Sequence, residues 1–224
     1  MKSKRHFLRI FLFGVLTIPI LVSATAQEPD LLIWNGLTLY LNTTPLEPLL
    51  EDNPDFRPKS DVFSTGNYRG YIAHWELTQE HLYLVDVMTE KRLEDTENGY
   101  MQTEPRSVFG EMFPGGKPVY ATWFSGHLVI PEGNLVNYVH LGFASTYDSY
   151  VIITVESGAV ANSRKMGLQE FNRFRQDQFE KFRLTTEYQR LHEQLLKREA
   201  KSQEDLEGFL FEEMTDRYLT LIFP

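Results

Sequence analysis

The sequence predicts a mainly β domain, an antiparallel barrel or sandwich, followed by a C-terminal amphipathic helical tail. Three observations lead there. Short β-branched and aromatic runs, separated by turn residues, recur from Leu31 to about Ala161. No helical periodicity is interleaved with them, which favours an all-β layer over βαβ units. After about Asn162 the apolar spacing changes to the period of about 3.6 expected of a helix. The expected organisation is a leader at 1–26, a β domain at 27–161 and a helical extension at 162–224.

The leader comes first. Lys2, Lys4, Arg5 and Arg9 precede an apolar run from Ile10 to Val22, and Ala24-Thr25-Ala26 has the small-residue pattern of a cleavage site. At 13 residues the run is shorter than the roughly 20 that a membrane span needs. A signal peptide cleaved after Ala26 is expected, with a periplasmic or secreted product and no stable membrane insertion.

Along the β region, Asn35-Gly36 separates the apolar pieces 32–34 and 37–41 and suits a tight hairpin. A single bent strand is the other reading, because the first piece is short. Pro45, Pro48, Pro54 and Pro58 mark 42–64 as a wrapping loop, with one turn of helix at 46–51. The clearest strand pair is 68–77 and 82–88. The acidic stretch 89–104 reads as a surface excursion. Further strands are expected at 119–125, 127–130, 135–143 and 150–156. Pro131-Glu132-Gly133 and Ser157-Gly158 are read as turns.

In the tail, Leu168, Phe171, Phe174, Phe179 and Phe182 fall within roughly 140° of one another around a helix. Leu184, Tyr188, Leu191 and Leu195 make a second stripe. The shift near Thr185-Thr186 implies a break or a helix with two partners. A short helix is expected at 206–214, and 217–223 fits either its continuation or a strand.

Composition narrows the chemistry. The chain has 224 residues, no Cys and a net charge of −9. Disulfides, thiolate metal sites and Cys nucleophiles are therefore excluded. Residues 27–160 hold 7 basic and 19 acidic side chains, against 11 and 12 in 161–224. A phosphate-binding surface needs the opposite balance, so no nucleic-acid partner is expected. A basic helix after an acidic domain suggests that the tail docks on its own domain; a partner helix and a membrane-surface helix are the other readings.

Catalytic signatures fail at particular residues. Leu196 stands where H-E-x-x-H starting at His192 needs its second imidazole, and His74-Trp75-Glu76 lacks the cysteines of zinc deaminases. Aligning Gly99 with the sixth position of a calcium loop starting at Glu94 puts Pro105 where a bidentate Glu belongs. No cofactor is expected. The remaining polar candidates lie on predicted strands. Alternation puts His74 and Glu76 on one face with Ile72, while His140 shares a face with Val136 and Tyr138, and His127 follows Ser125-Gly126 near Trp123. Convergence of His74, Glu76, His127 and His140 would make a metal or acid–base site. Trp123, with Trp34 and Trp75, invites a stacking platform for sugars, although such rings are commonly core.

The segment Asn67-Tyr68-Arg69-Gly70-Tyr71-Ile72-Ala73-His74-Trp75-Glu76-Leu77, followed by Leu82-Tyr83-Leu84, resembles a pattern in uncharacterised bacterial exported β-domain proteins. So does Trp123-Phe124-Ser125-Gly126 leading to Tyr138-Val139-His140-Leu141-Gly142. The resemblance implies one β unit with an added tail and carries over no activity or site residue. Three functions are expected in order: a non-enzymatic exported binding or envelope-interaction domain, with a protein or small-molecule partner; an exported hydrolase or carbohydrate-active enzyme using the strand His and Glu; and an acidic immunity-type protein that binds a basic partner.

Overall fold

The computed structural model describes residues 26–62, 64–93, 102–198 and 203–222. The leader before Ala26 and the calcium-loop candidate at 94–99 lie outside the described residues.

The β domain is one mixed nine-stranded sheet folded into two layers, in the manner of a sandwich. Its main path runs β2 (Leu37–Leu41), β1 (Asp30–Trp34), β3 (Ile72–Thr78), β4 (His81–Arg92), β9 (Ala159–Gly167), β8 (Thr146–Glu156), β7 (Gly126–Asn137). The short strands β5 (Thr103–Ser107) and β6 (Val119–Tyr120) also pair with β4. The layers meet at a corner where β4 and β9 share only the His81–Ala159 register pair. At the opposite edge, Asn42 N donates to Val129 O at 2.9 Å, but no ladder closes a barrel there.

Hairpin chemistry sets much of this topology. Asn35 and Gly36 both have positive φ, 52° and 75°, so β1 and β2 are a true hairpin. Gln79-Glu80 and Ser157-Gly158 adopt the same left-handed pair. Gly158 is also required sterically, since a Cβ there would sit 2.6 Å from the Tyr120 ring and 2.9 Å from Ala121 O.

Several expected boundaries shift. The 68–77 strand starts at Ile72, and 119–125 contributes only β6 before a turn. Pro131-Glu132-Gly133 is no turn: it is an irregularity inside β7, where the pairing with β8 slips between Glu132 and Leu135. β7 then ends at Asn137, which leaves His140 in a loop. β9 continues to Gly167, beyond the anticipated boundary at 161. One pairing also departs from the antiparallel expectation, because β1 and β3 run parallel. Parallel neighbours need a long crossover, and the proline-rich stretch between β2 and β3 is that crossover.

Alternation fills the space between the layers. Ala73, Trp75 and Leu77 of β3 and Leu82 and Leu84 of β4 meet Leu128 and Ile130 of β7 and Val151, Ile153 and Val155 of β8. The other face of β8 is buried too: Tyr150 and Ile152 join Val129 under the tail. Phe171, Phe174, Phe179 and Phe182 of α3 (Leu168–Phe182) cover them, and the Phe171 ring stacks on Tyr150 at 3.5 Å. The chain breaks at the expected place before α4 (Thr186–Arg198), whose Tyr188 is buried while Leu184 in the link is exposed. Then follow α5 (Gln203–Glu213) and a separate short helix, α6 (Thr215–Thr220), so 217–220 is helical and Leu221 leaves the helix. The tail thus docks on its own domain. Among the described residues no helix is long and apolar enough to cross a membrane.

Candidate binding cleft

The crossover builds an aromatic-lined concavity. Its helix α1 (Glu47–Asp52) has Pro48 in the first turn, where a missing N–H costs nothing. It buries Leu46 and Leu50 in the sandwich core and turns Leu49 and Asp52 outward. Asn53 ends it, donating both its backbone N–H and its side-chain amide to Leu49 O, at 3.1 and 3.0 Å. A 3-10 turn at Pro54–Phe56 then sets the Phe56 ring edge-on to Phe113 at 5.2 Å. Phe113 caps α2 (Phe109–Met112). Trp123 closes the far side: its indole N–H donates to Pro45 O at 3.1 Å, and its ring lies 6.4 Å from that of buried Trp75. Together with Leu49, Asp52, Asn53, Pro54 and Asp55 these rings line an open cleft of about 670 Å³. That volume is ordinary for a small-ligand site.

Behind the cleft, α1 is held by a buried polar chain. Arg57 grips the Glu47 carboxylate bidentately at 3.0 and 2.7 Å, and Tyr71 Oη donates to it at 2.7 Å. Burial pushes the Glu47 carboxyl up. The hydrogen bonds from Arg57 and Tyr71 and the charges of Arg57 and Arg69 outweigh that and hold it below its ordinary value. Arg69, stacked over the Tyr71 ring, pairs with Asp30 at 2.7 Å, and both side chains are almost wholly buried. Asp30 also accepts from Ala73 N at 3.2 Å and from the Trp75 indole N–H at 3.1 Å, while Arg69 donates to Glu28 O at 2.7 Å. A buried ion pair is tolerable only with such supporting bonds.

The tail joins the same chain. Tyr68 Oη donates to Asp216 at 3.5 Å, and Arg217 bridges Glu187 of α4 and Glu51 of α1. Asp216 is buried, which raises its carboxyl pKa even though Arg217 and Arg69 pull the other way.

Of the residues singled out from sequence, only Trp123 lines this cleft. His74 and Glu76 do share the outward face of β3, half-buried, in register with Asp86 and Tyr83 of β4. His127 lies on the far side of the sandwich core. Its ring contacts Thr154 at 3.2 Å, Gln178 at 3.4 Å and the Phe174 ring, beneath α3. Burial, reinforced by the charges of Arg164 and Lys181, lowers its pKa to about 4. His140 is exposed in the loop after β7, within hydrogen-bond reach of Tyr138 Oη at 2.7 Å. The four polar candidates therefore form no common pocket. Among the described residues no three His, Asp or Glu side chains gather as metal ligands.

Sequence reasoning missed Leu49, Asp52, Asn53, Asp55, Phe56 and Phe113, and the supporting Asp30, Glu47, Arg57, Arg69 and Tyr71. One signal was present: Asp30 and Arg69 are opposite charges at the entrances to apolar strands. Comparison with family models, with curated proteins and with solved structures returned no match.

Proposed function

We propose that the protein is an exported, non-enzymatic binding module whose ligand seats in the cleft between α1 and Trp123. One observation carries this reading. Leu49, Phe56, Phe113 and Trp123 stand half-exposed around a concavity whose wall is fixed from behind by the Glu47–Arg57–Tyr71 bonds. Aromatic surface left at a rigid indentation is free to bind without first paying an ordering cost. Export follows from the basic-then-apolar amino terminus and its A-x-A pattern.

The hydrolase reading has less behind it, because the sandwich core lies between the His74–Glu76 face and His127. The acidic-partner reading agrees with the charge of residues 27–160 and is compatible with the same cleft.

A thermal-shift panel of maltotriose, chitotriose, spermidine, and short basic and acidic peptides tests the proposal. At least one compound should raise Tm for the natural chain and not for Trp123→Ala or Phe113→Ala, each checked for native secondary structure. His74→Ala and Glu76→Gln should respond like the natural chain. A shift that survives both cleft substitutions, is lost in His74→Ala or Glu76→Gln, and comes with turnover of the compound would overturn it.

A further inference from the structure

We infer that the occupant of this cleft is an arginine side chain presented by a basic segment of a partner protein. The inference rests on the cleft being the binding site and adds the chemistry of what enters.

Hydrogen-bonding sense points to a donor. Two of the three side-chain N–H donors of the lining are used: the Trp123 indole N–H on Pro45 O, and one N–H of the Asn53 amide on Leu49 O. What the rim presents is mainly acceptors, the carboxylates of Asp52 and Asp55 and the Oδ1 of Asn53. A sugar hydroxyl both donates and accepts, and it is best met by a mixed rim. A guanidinium has five N–H donors and no acceptor, so a rim dominated by carboxylate acceptors suits it.

Charge agrees. Glu47 and Glu51, on the same helix, are engaged by Arg57 and Arg217, whereas Asp52 and Asp55 make no ion pair among the described residues. Both are exposed, within a β region that has 19 acidic and 7 basic residues. The walls complete the match, because a weakly hydrated planar cation stacks on the faces of Trp and Phe in a way that an ammonium does not. The arginine stem would lie against Leu49 and Phe56.

The test is isothermal titration of the natural chain with acetyl-Gly-Arg-Gly-Arg-Gly-amide, with the same peptide carrying citrulline for arginine, and with chitotriose. Citrulline keeps the shape and removes the charge. The arginine peptide should bind, and the citrulline peptide should bind at least about tenfold more weakly, as expected for loss of a desolvated cation–π and carboxylate contact. The variant Asp52→Asn/Asp55→Asn, altered only at exposed positions, should lose a similar factor, and raised salt should weaken the natural complex. Equal binding of the two peptides, unchanged binding by the double variant, or no binding of the arginine peptide would overturn the inference. Chitotriose binding that depends on Trp123 and Phe113 would overturn it too, while leaving the cleft itself as the binding site.

Discussion

The two faces of β8 are both buried, but against different kinds of structure. Val151, Ile153 and Val155 face the inside of the sandwich, whereas Tyr150 and Ile152 face the tail helices. The sandwich side encloses charge, with Asp30 and Arg69 sealed at its end and every carboxylate oxygen of Asp30 accepting a bond. The tail side is mostly packed rings, and its ion pair reaches the surface: buried Arg175 meets Glu212 at 3.0 Å from over the Phe211 ring, and that Glu is partly exposed. The difference separates two jobs. The polar chain on the sandwich side positions the crossover and hence the cleft. The aromatic layer on the tail side supplies burial to a strand that would otherwise face water.

The largest expected effect breaks the polar side. Arg69→Met should cost about 3–5 kcal/mol in urea unfolding, because it strands the Asp30 carboxylate in the core. Adding Asp30→Leu should recover only part of that loss, because it frees the buried Ala73 N–H and Trp75 indole N–H, and a pair that behaves additively would show that the two residues are not coupled. On the tail side, Phe182→Ala removes a ring with no exposed surface and should cost about 3 kcal/mol. It should leave ligand binding at the cleft within about twofold if the two regions have the separate roles assigned to them, since no cleft contact is touched.

A pH titration sharpens the comparison. His127 has a folded-state pKa of about 4 against an ordinary 6.5, so between these values the unfolded chain binds the extra proton. The stability linked to neutral His127 is complete above pH 6.5 and is lost as pH falls towards 4. Asp216 and Glu213, both raised by burial, act in the opposite sense. The measurement is therefore the difference between the natural chain and His127→Gln, which should remove about one proton of uptake over that window. The smallest effect belongs to the β4–β5 hairpin. Lys91→Ala breaks a half-exposed pair with Glu104 and should change stability by no more than about 0.5 kcal/mol.

Local pattern made much of the fold legible. The β-branched and aromatic runs marked β1, β3, β4 and β8, Asn35-Gly36 left the first hairpin open beside a single bent strand, and the phenylalanine stripe gave α3 and its buried face. Non-local pairing was not legible. Nothing in the spacing of 31–34 and 72–77 says that these strands lie parallel. Yet that pairing converts a proline-rich loop into a cleft wall. Pro131 and Gly133 read as a turn because they are turn residues, but pairing with β8 absorbs them as an irregularity. The candidate site was legible at one residue, Trp123. The histidines drew attention by type, whereas Asp52, Phe56 and Phe113 become neighbours only through the crossover.

Hydrogen–deuterium exchange of the natural chain, with and without the arginine peptide, tests the central claim most directly. The account predicts slowed exchange confined to 49–56 and 113–123. Protection falling on 135–140 or along 168–220 instead, with none at the cleft, would contradict it.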